Sequence, residues 1–327
     1  MKRLSFFILI ACIFLFSCQS RSGSSNLPMS IGRAGEMLVV MKDYLWKGAS
    51  GDSIRQYFKE PVWGLPALEP MFSISQSDVL NNFVQKYRNI LIINVDPGFE
   101  GTRIRVRENL HANNQVIFNI DAPSVDSLIS CVYKNKDRIT AHFLIKDRDA
   151  IITDYKRVIA KPIVDRMKEK FNVDILIPQP FILDVEKDDF VWISRIEGEK
   201  EWGILMWEHP YLRTSQLDTD SLIFNMNAMT RRNVPGSRTG SYMADEPLVE
   251  PEVKRFYKND IYCVQLNGLW QMENGFMGGP YVNHTIVDMQ RGRLVTAMGF
   301  VYYPNREKRQ MVRQLEAILY TMTPISD

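Results

Sequence analysis

The stretch Phe181-Ile-Leu-Asp-Val-Glu-Lys-Asp-Asp-Phe-Val-Trp-Ile-Ser-Arg-Ile196, followed by Trp202-Gly-Ile-Leu-Met-Trp-Glu208, decides the fold. Three apolar runs rich in β-branched and aromatic side chains are separated by the short polar segments Glu186–Asp189 and Glu197–Lys200. Connections that short join antiparallel neighbours and leave no room for a crossover helix. From Pro178 onward the chain therefore reads as hairpins. Further strands follow at Ile261–Leu266, Val282–Met289 and Leu294–Tyr302. Between them, Asp218 or Asp220 can cap a helix running to about Met229, with Leu222, Ile223, Met226 and Met229 on one side. A helix over residues 305–322 closes the chain. Its apolar stripe is Met311, Leu315, Ile318, Leu319 and Met322, and the basic Arg306, Lys308, Arg309 and Arg313 lie mostly off it.

Upstream of Pro178 the pattern mixes strands and helices. Glu36–Met41 and Asn89–Val95 are apolar runs suited to buried strands, and Gln115–Ile120 supplies another. Arg103, Arg105 and Arg107 alternate with Ile104 and Val106, the period of a half-buried strand with one charged face. Asp52 can cap a short helix ending near Phe58, and the prolines of Pro61–Pro70 exclude both helix and central strand there. Ser124 opens a helix with Val125, Leu128, Ile129 and Val132 on its stripe. A second helical pattern spans Asp154–Phe171, where Pro162 either kinks one helix or starts a new one, and Asp174–Ile177 reads as a strand. The fold class is α+β, with antiparallel or mixed sheets and helices packed on one face. The expected division is residues 31–177 and 178–327, as two halves or one continuous domain. Asp126-Ser-Leu-Ile129 recurs as Asp220-Ser-Leu-Ile223, either a trace of duplication giving two similar halves or a coincidence of helix starts.

The N-terminus supplies an address. Lys2 and Arg3 precede an apolar run from Leu4 to Phe16, interrupted only by Ser5, and Leu15-Phe16-Ser17-Cys18 follows. That run is 13 residues long, whereas a spanning helix takes about 20. The tetrapeptide resembles a bacterial lipobox, apart from the bulk of Phe16. Residues 1–17 are then a signal peptide, Cys18 is the lipidated residue, and residues 18–30 form a polar Ser/Gly tether. With no Asp after Cys18, the resemblance points to an outer-membrane anchor facing the periplasm.

Losing residues 1–17 takes Lys2 and Arg3 from 40 basic side chains and nothing from 38 acidic ones, so the formal charge falls from +2 to zero. A neutral chain has no electrostatic footprint for nucleic acid. Cys131 and Cys263 remain; in an oxidising compartment they could pair, and each also suits a buried thiol. His111, His142, His209 and His284 lack ligand spacing, so neither metal nor cofactor is expected.

The most unusual segment is Gly268-Leu-Trp-Gln-Met-Glu-Asn-Gly-Phe-Met-Gly-Gly-Pro-Tyr281. Trp270, Phe276 and Tyr281 could line a binding cleft; the plainer reading is a long irregular hairpin connection whose aromatics plug the core. Arg231 and Arg232 could meet an anion, or simply answer a helix dipole. Trp192, Trp202 and Trp207 read as sheet packing, and Asp188/Asp189 and Asp218/Asp220 as turn formers and caps. No catalytic constellation is legible.

Gly35-Glu-Met-Leu-Val-Val40, Trp46-Lys-Gly48, Gly64-Leu-Pro-Ala-Leu-Glu-Pro70 with Phe72, Arg88-Asn-Ile-Leu91, Met277-Gly-Gly-Pro-Tyr281 and Leu315-Glu-Ala-Ile318 together resemble a family of Bacteroidetes lipoproteins described as a domain of unknown function. The resemblance implies an envelope lipoprotein and carries no catalytic residue with it. The expected role is a membrane-anchored, non-enzymatic binding or assembly module. Its expected partners are the membrane, through the lipid, and an envelope protein, peptide or glycan. The alternative is a periplasmic hydrolase acting on glycan or peptide, with carboxylates assembled from distant positions.

Overall fold

The computed structural model describes residues 27–325; the expected signal peptide and lipidated Cys18 lie outside the described residues. Strand β1 (Glu36–Val40) leads into helices α1 (Asp43–Trp46) and α2 (Ala49–Phe58), then β2 (Ser73–Ser77), β3 (Asn89–Val95), β4 (Arg103–Glu108) and β5 (Val116–Ala122). These five strands form one sheet in the order β2-β1-β3-β5-β4. The first four run parallel and β4 closes the edge antiparallel to β5. Parallel strands are covered on both faces, which is why β1, β3 and β5 are nearly continuous apolar runs. Leu38, Val40, Ile90 and Ile117 face one side, and Met37, Val39, Leu91, Ile93, Phe118 and Ile120 face the other. The arginines of β4 fit an edge, where charge discourages further pairing; Arg105 bonds Asp121 across to β5.

Helix α3 (Val125–Tyr155) is capped by the Ser124 hydroxyl, which accepts the Ser127 N–H at 3.2 Å. It runs 31 residues, well past Val132, where its legible stripe ends. Pro162 starts a new helix, α4 (Lys161–Phe171), at its first turn. The strand expected at Asp174–Ile177 is the short β6 (Val173–Asp174), which pairs with the terminal β15 (Thr323–Pro324).

The hairpin region folds into an eight-stranded antiparallel sheet. It comprises β7 (Ile182–Lys187), β8 (Phe190–Glu197), β9 (Lys200–Pro210), β10 (Tyr242–Asp245), β11 (Glu252–Lys258), β12 (Ile261–Glu273), β13 (Gly278–Asp288) and β14 (Arg293–Tyr302). Helices cover both of its faces. Val191, Ile193, Ile204, Met206, Val282 and Val295 meet α4 and the C-terminal helix α6 (Arg309–Thr321). Phe190, Leu205, Trp207, Leu266 and Met298 meet α5 (Thr219–Asn233). The repeated Asp-Ser-Leu-Ile opens a helix in each half, but the two sheets differ in strand direction and order. Cys131 and Cys263 are both free thiols, one in each half.

Helix α6 has two working faces. Its apolar stripe lies on the second sheet, and a Cβ at Gly299 of β14 would come within 3.0 Å of the Leu315 Cβ. Its other face belongs to the first domain. Buried Glu69 accepts the N–H groups of Lys308 at 2.7 Å and Arg309 at 2.8 Å, answering the free donors of a helix start that has no side-chain cap of its own. Arg309 donates to the Pro70 carbonyl, and Arg313 to that of Met71 at 2.6 Å. Asp147 of α3 gathers the Gly35 N–H at 2.6 Å, the Asn89 amide at 3.0 Å, Arg88 at 3.1 Å and Arg313 at 3.5 Å. Gly35 has φ +77°, and a Cβ there would sit 2.2 Å from an Arg313 nitrogen, so only glycine fits. Asp147→Ala would leave Arg88 and Arg313 buried and unpaired, and a loss of about 3–5 kcal/mol is expected in urea unfolding. Lys161→Ala, which breaks an exposed pair with Asp165, should stay within about 0.5 kcal/mol. Equal effects of the two substitutions would refute the clamp.

Candidate functional site

Where the two domains face each other they enclose a cleft of about 520 Å³. Helix α3 contributes Leu144, Ile145, Arg148 and Ile151, and α6 contributes Val312, Glu316 and Tyr320. The β11–β12 hairpin gives Glu252, Lys254, Phe256, Gln265 and Asn267, and the proline-rich loop gives Val62, Trp63 and Met71. Ala141, Ile145 and Trp63 are exposed and mark the mouth. The Trp63 indole donates to the Glu250 carbonyl at 3.0 Å, pinning that loop to the second domain. Gly64, at φ +73°, lets the loop pass close to the Asn267 carbonyl.

The polar groups of this cleft differ in how they are satisfied. Arg309 and Arg313 are spent on the clamp. Glu316 accepts hydrogen bonds from Asn267 at 2.9 Å and Gln265 at 3.3 Å, with no cation within ion-pairing distance among the described residues. Arg148 lies over the Tyr320 ring, 3.4 Å from its centroid. Its Nε is buried without a hydrogen-bond partner, and no carboxylate among the described residues pairs with it. Glu252 pairs with Lys254 at 2.9 Å.

Behind the cleft wall, Phe256 stacks on Tyr320 and meets His284 edge-on at 5.7 Å. His284 is wholly buried, and neither ring nitrogen has a partner among the described residues. Burial, reinforced by Lys258 and Arg148, pushes its pKa down to about 3. Lys258 donates to the carbonyls of Tyr320 and Met322 at the end of α6, and burial draws its pKa down to about 8.

The expected site residues are dispersed. The 268–281 segment is regular hairpin, the ends of β12 and β13 joined by a short turn, and not an irregular loop. Trp270 is buried, edge-on to Phe300, and donates to the Val301 carbonyl at 3.3 Å. Phe276 is exposed on the turn beneath the Arg238 guanidinium. Trp270 and Phe276 border a separate depression of about 280 Å³. Tyr281 reaches the main cleft; it is buried and donates to Asp245 at 2.6 Å, and burial with Asp245 raises its pKa. Arg231 lies over Tyr242 and Arg232 pairs with Asp189, both at the end of α5 and away from the cleft lining. Arg148 and Glu316 were not singled out from sequence. A signal for one wall existed: Arg309, Arg313, Glu316 and Tyr320 recur at helical spacing opposite the apolar stripe. No group of three or more His, Cys, Asp or Glu among the described residues is placed to hold a metal ion.

Residues 30–156 match the family model Domain of unknown function (DUF8532), and residues 160–321 match Domain of unknown function (DUF4837). Two adjoining segments thus match family domains, both of unknown function. No protein of curated function matches the sequence. Among solved structures, the Saccharomyces cerevisiae Ran-binding protein Mog1p is similar at TM-score 0.34 and 10% identity, over 47% of this chain and 91% of that one. LpqN, involved in cell envelope biogenesis of Mycobacterium tuberculosis, is similar at TM-score 0.29 and 13% identity, over 46% of this chain and 83% of that one.

The neutral, buried His284 makes stability depend on acid. The unfolded chain takes up a proton on this side chain below about pH 6.5, while the folded chain resists it down to about pH 3. Stability from this group is therefore full above pH 6.5 and is lost as pH falls through that window, by about 1.4 kcal/mol per unit. His284→Phe is expected to flatten the acid limb of stability against pH by up to one proton; parallel limbs for both proteins would contradict the assignment.

Proposed function

We propose that this chain is a lipid-tethered, non-enzymatic binding or assembly module of the cell envelope, and that the interdomain cleft receives its ligand. The cleft is the observation that carries the reading. Its volume falls within the roughly 300–1,000 Å³ of small-molecule sites, and its walls are largely apolar with a few convergent polar groups. The clamp supports it further, because Asp147 and Glu69 fix two of its walls before any ligand arrives. Tethering rests on the signal sequence, Cys18 and the polar stretch behind it. Among the described residues no helix is long and apolar enough to cross a membrane.

One observation favours a second reading, an envelope hydrolase: Glu252 and Glu316 line the same cleft. Two carboxyl groups flanking one bond are what glycoside hydrolysis requires. Here one is held by two amide donors and the other by Lys254, an arrangement that serves recognition more directly than proton transfer.

Ala141 stands at the mouth, clear of the clamp, so Ala141→Trp should obstruct entry without loosening the domains. The parent protein, released from its own membranes in mild detergent, is expected to carry a small molecule in native mass spectrometry, and the variant to show occupancy at least about tenfold lower, equivalent to about 1.4 kcal/mol. Equal occupancy would sink the cleft as the ligand site. So would an empty parent whose Tm no small-molecule fraction of the envelope shifts. A cleaved molecule, lost in Glu316→Gln with binding retained, would establish the hydrolase.

A further inference from the structure

We infer that the cleft is built for a short peptide with free termini, its carboxylate on Arg148 and its ammonium on Glu316; this rests on the cleft being the ligand site. The argument starts from charge accounting. Four basic and three acidic side chains line the cavity. Arg309 and Arg313 are bonded to Pro70, Met71 and Ser73, with Arg313 also against Asp147. Lys254 and Glu252 pair with each other. That leaves one cation, Arg148, and one anion, Glu316, without a charged partner at ion-pairing distance among the described residues.

Both are held in place rather than left to wander. Arg148 is held over the Tyr320 ring, and its buried Nε has no hydrogen-bond partner. Glu316 is fixed by two strand amides from β12. Tyr320 follows Glu316 by four residues on α6, so their backbones are about 6 Å apart along the helix axis, and Arg148 sits over the Tyr320 ring. A peptide of two or three residues spans roughly 7–11 Å when extended and less when bent, enough to reach both.

Desolvation decides between ligand classes. A ligand that fills the cleft expels water from both stations. A simple anion would leave desolvated Glu316 with only Arg313, already bonded to Asp147 and Met71, to answer its charge, and a simple cation would leave Arg148 with no carboxylate partner; a poorly answered buried charge costs several kcal/mol. Only a ligand bearing both charges satisfies both. Val312, Phe256 and Ile151 also line the cleft, which suits apolar side chains.

The test is calorimetric titration of the full mature chain, in detergent, with tri-leucine, N-acetyl-tri-leucine, tri-leucine amide and the doubly blocked peptide. Tri-leucine is expected to bind, and either block to weaken it at least tenfold. Arg148→Met should abolish the difference between acid and amide, and Glu316→Gln the difference between free and acetylated amine. The four peptides alone decide the matter should either variant misfold. Binding of the acetylated peptide as tight as that of the free one overturns the inference in favour of an anionic ligand. If no peptide binds while Ala141→Trp still strips the native adduct, the peptide inference falls and the cleft stands. If no adduct exists either, both fall.

Discussion

A charge taken out of water must find its counter-charge inside the protein, and this requirement joins the two halves of the molecule. Arg313 is carried by a helix that belongs to the second sheet through its apolar stripe, yet its nearest carboxylate, Asp147, sits on α3 of the first domain. Burial pushes the Asp147 carboxyl upward from its ordinary range, and Arg313, Arg88 and the Gly35 N–H pull against that push. None of these groups is satisfied by its own local element. The domains are therefore held by directional bonds to atoms that cannot drift, and relative sliding would strand charge in an apolar setting.

The clamp also explains why a cleft persists beside it. Helices α3 and α6 meet through Asp147 and Arg313, and beside that contact Arg148, Glu316 and Tyr320 line the cleft. The polar groups divide into those that hold the protein to itself and those left facing the space. Arg309 and Arg313 belong to the first kind. Arg148 belongs to the second, its guanidinium over Tyr320 and its Nε buried without a hydrogen-bond partner.

Strand positions were legible from local pattern because burial imposes its period on each strand separately. Asn89–Val95 is bounded as read, and the Phe190 and Trp202 runs lie in adjacent antiparallel strands. The parallel pairing of β1, β2, β3 and β5 was not legible, since direction depends on which distant strand lies alongside. Helix α3 faded from view after Val132 because its later turns face the second domain with Asp147 and Arg148 as well as the core with Ile139 and Phe143, and mixed faces have no clear stripe. For the same reason Arg309 and Arg313, which resemble the solvated face of a terminal helix, are buried at 7% exposure. The conspicuous aromatics of 268–281 are largely consumed by the sheet, while the cleft is assembled from unremarkable residues more than 150 positions apart. Proximity created by tertiary folding leaves no trace in a linear string.

The Glu69 carboxylate has a consequence for how the halves can exist. The first turn of α6 is completed by a side chain some 240 residues earlier in the chain. The second domain by itself would own a helix with an unanswered beginning and two arginines deprived of their acceptors. The boundary between the two family matches is thus a seam in sequence that the bonds completing α6 cross.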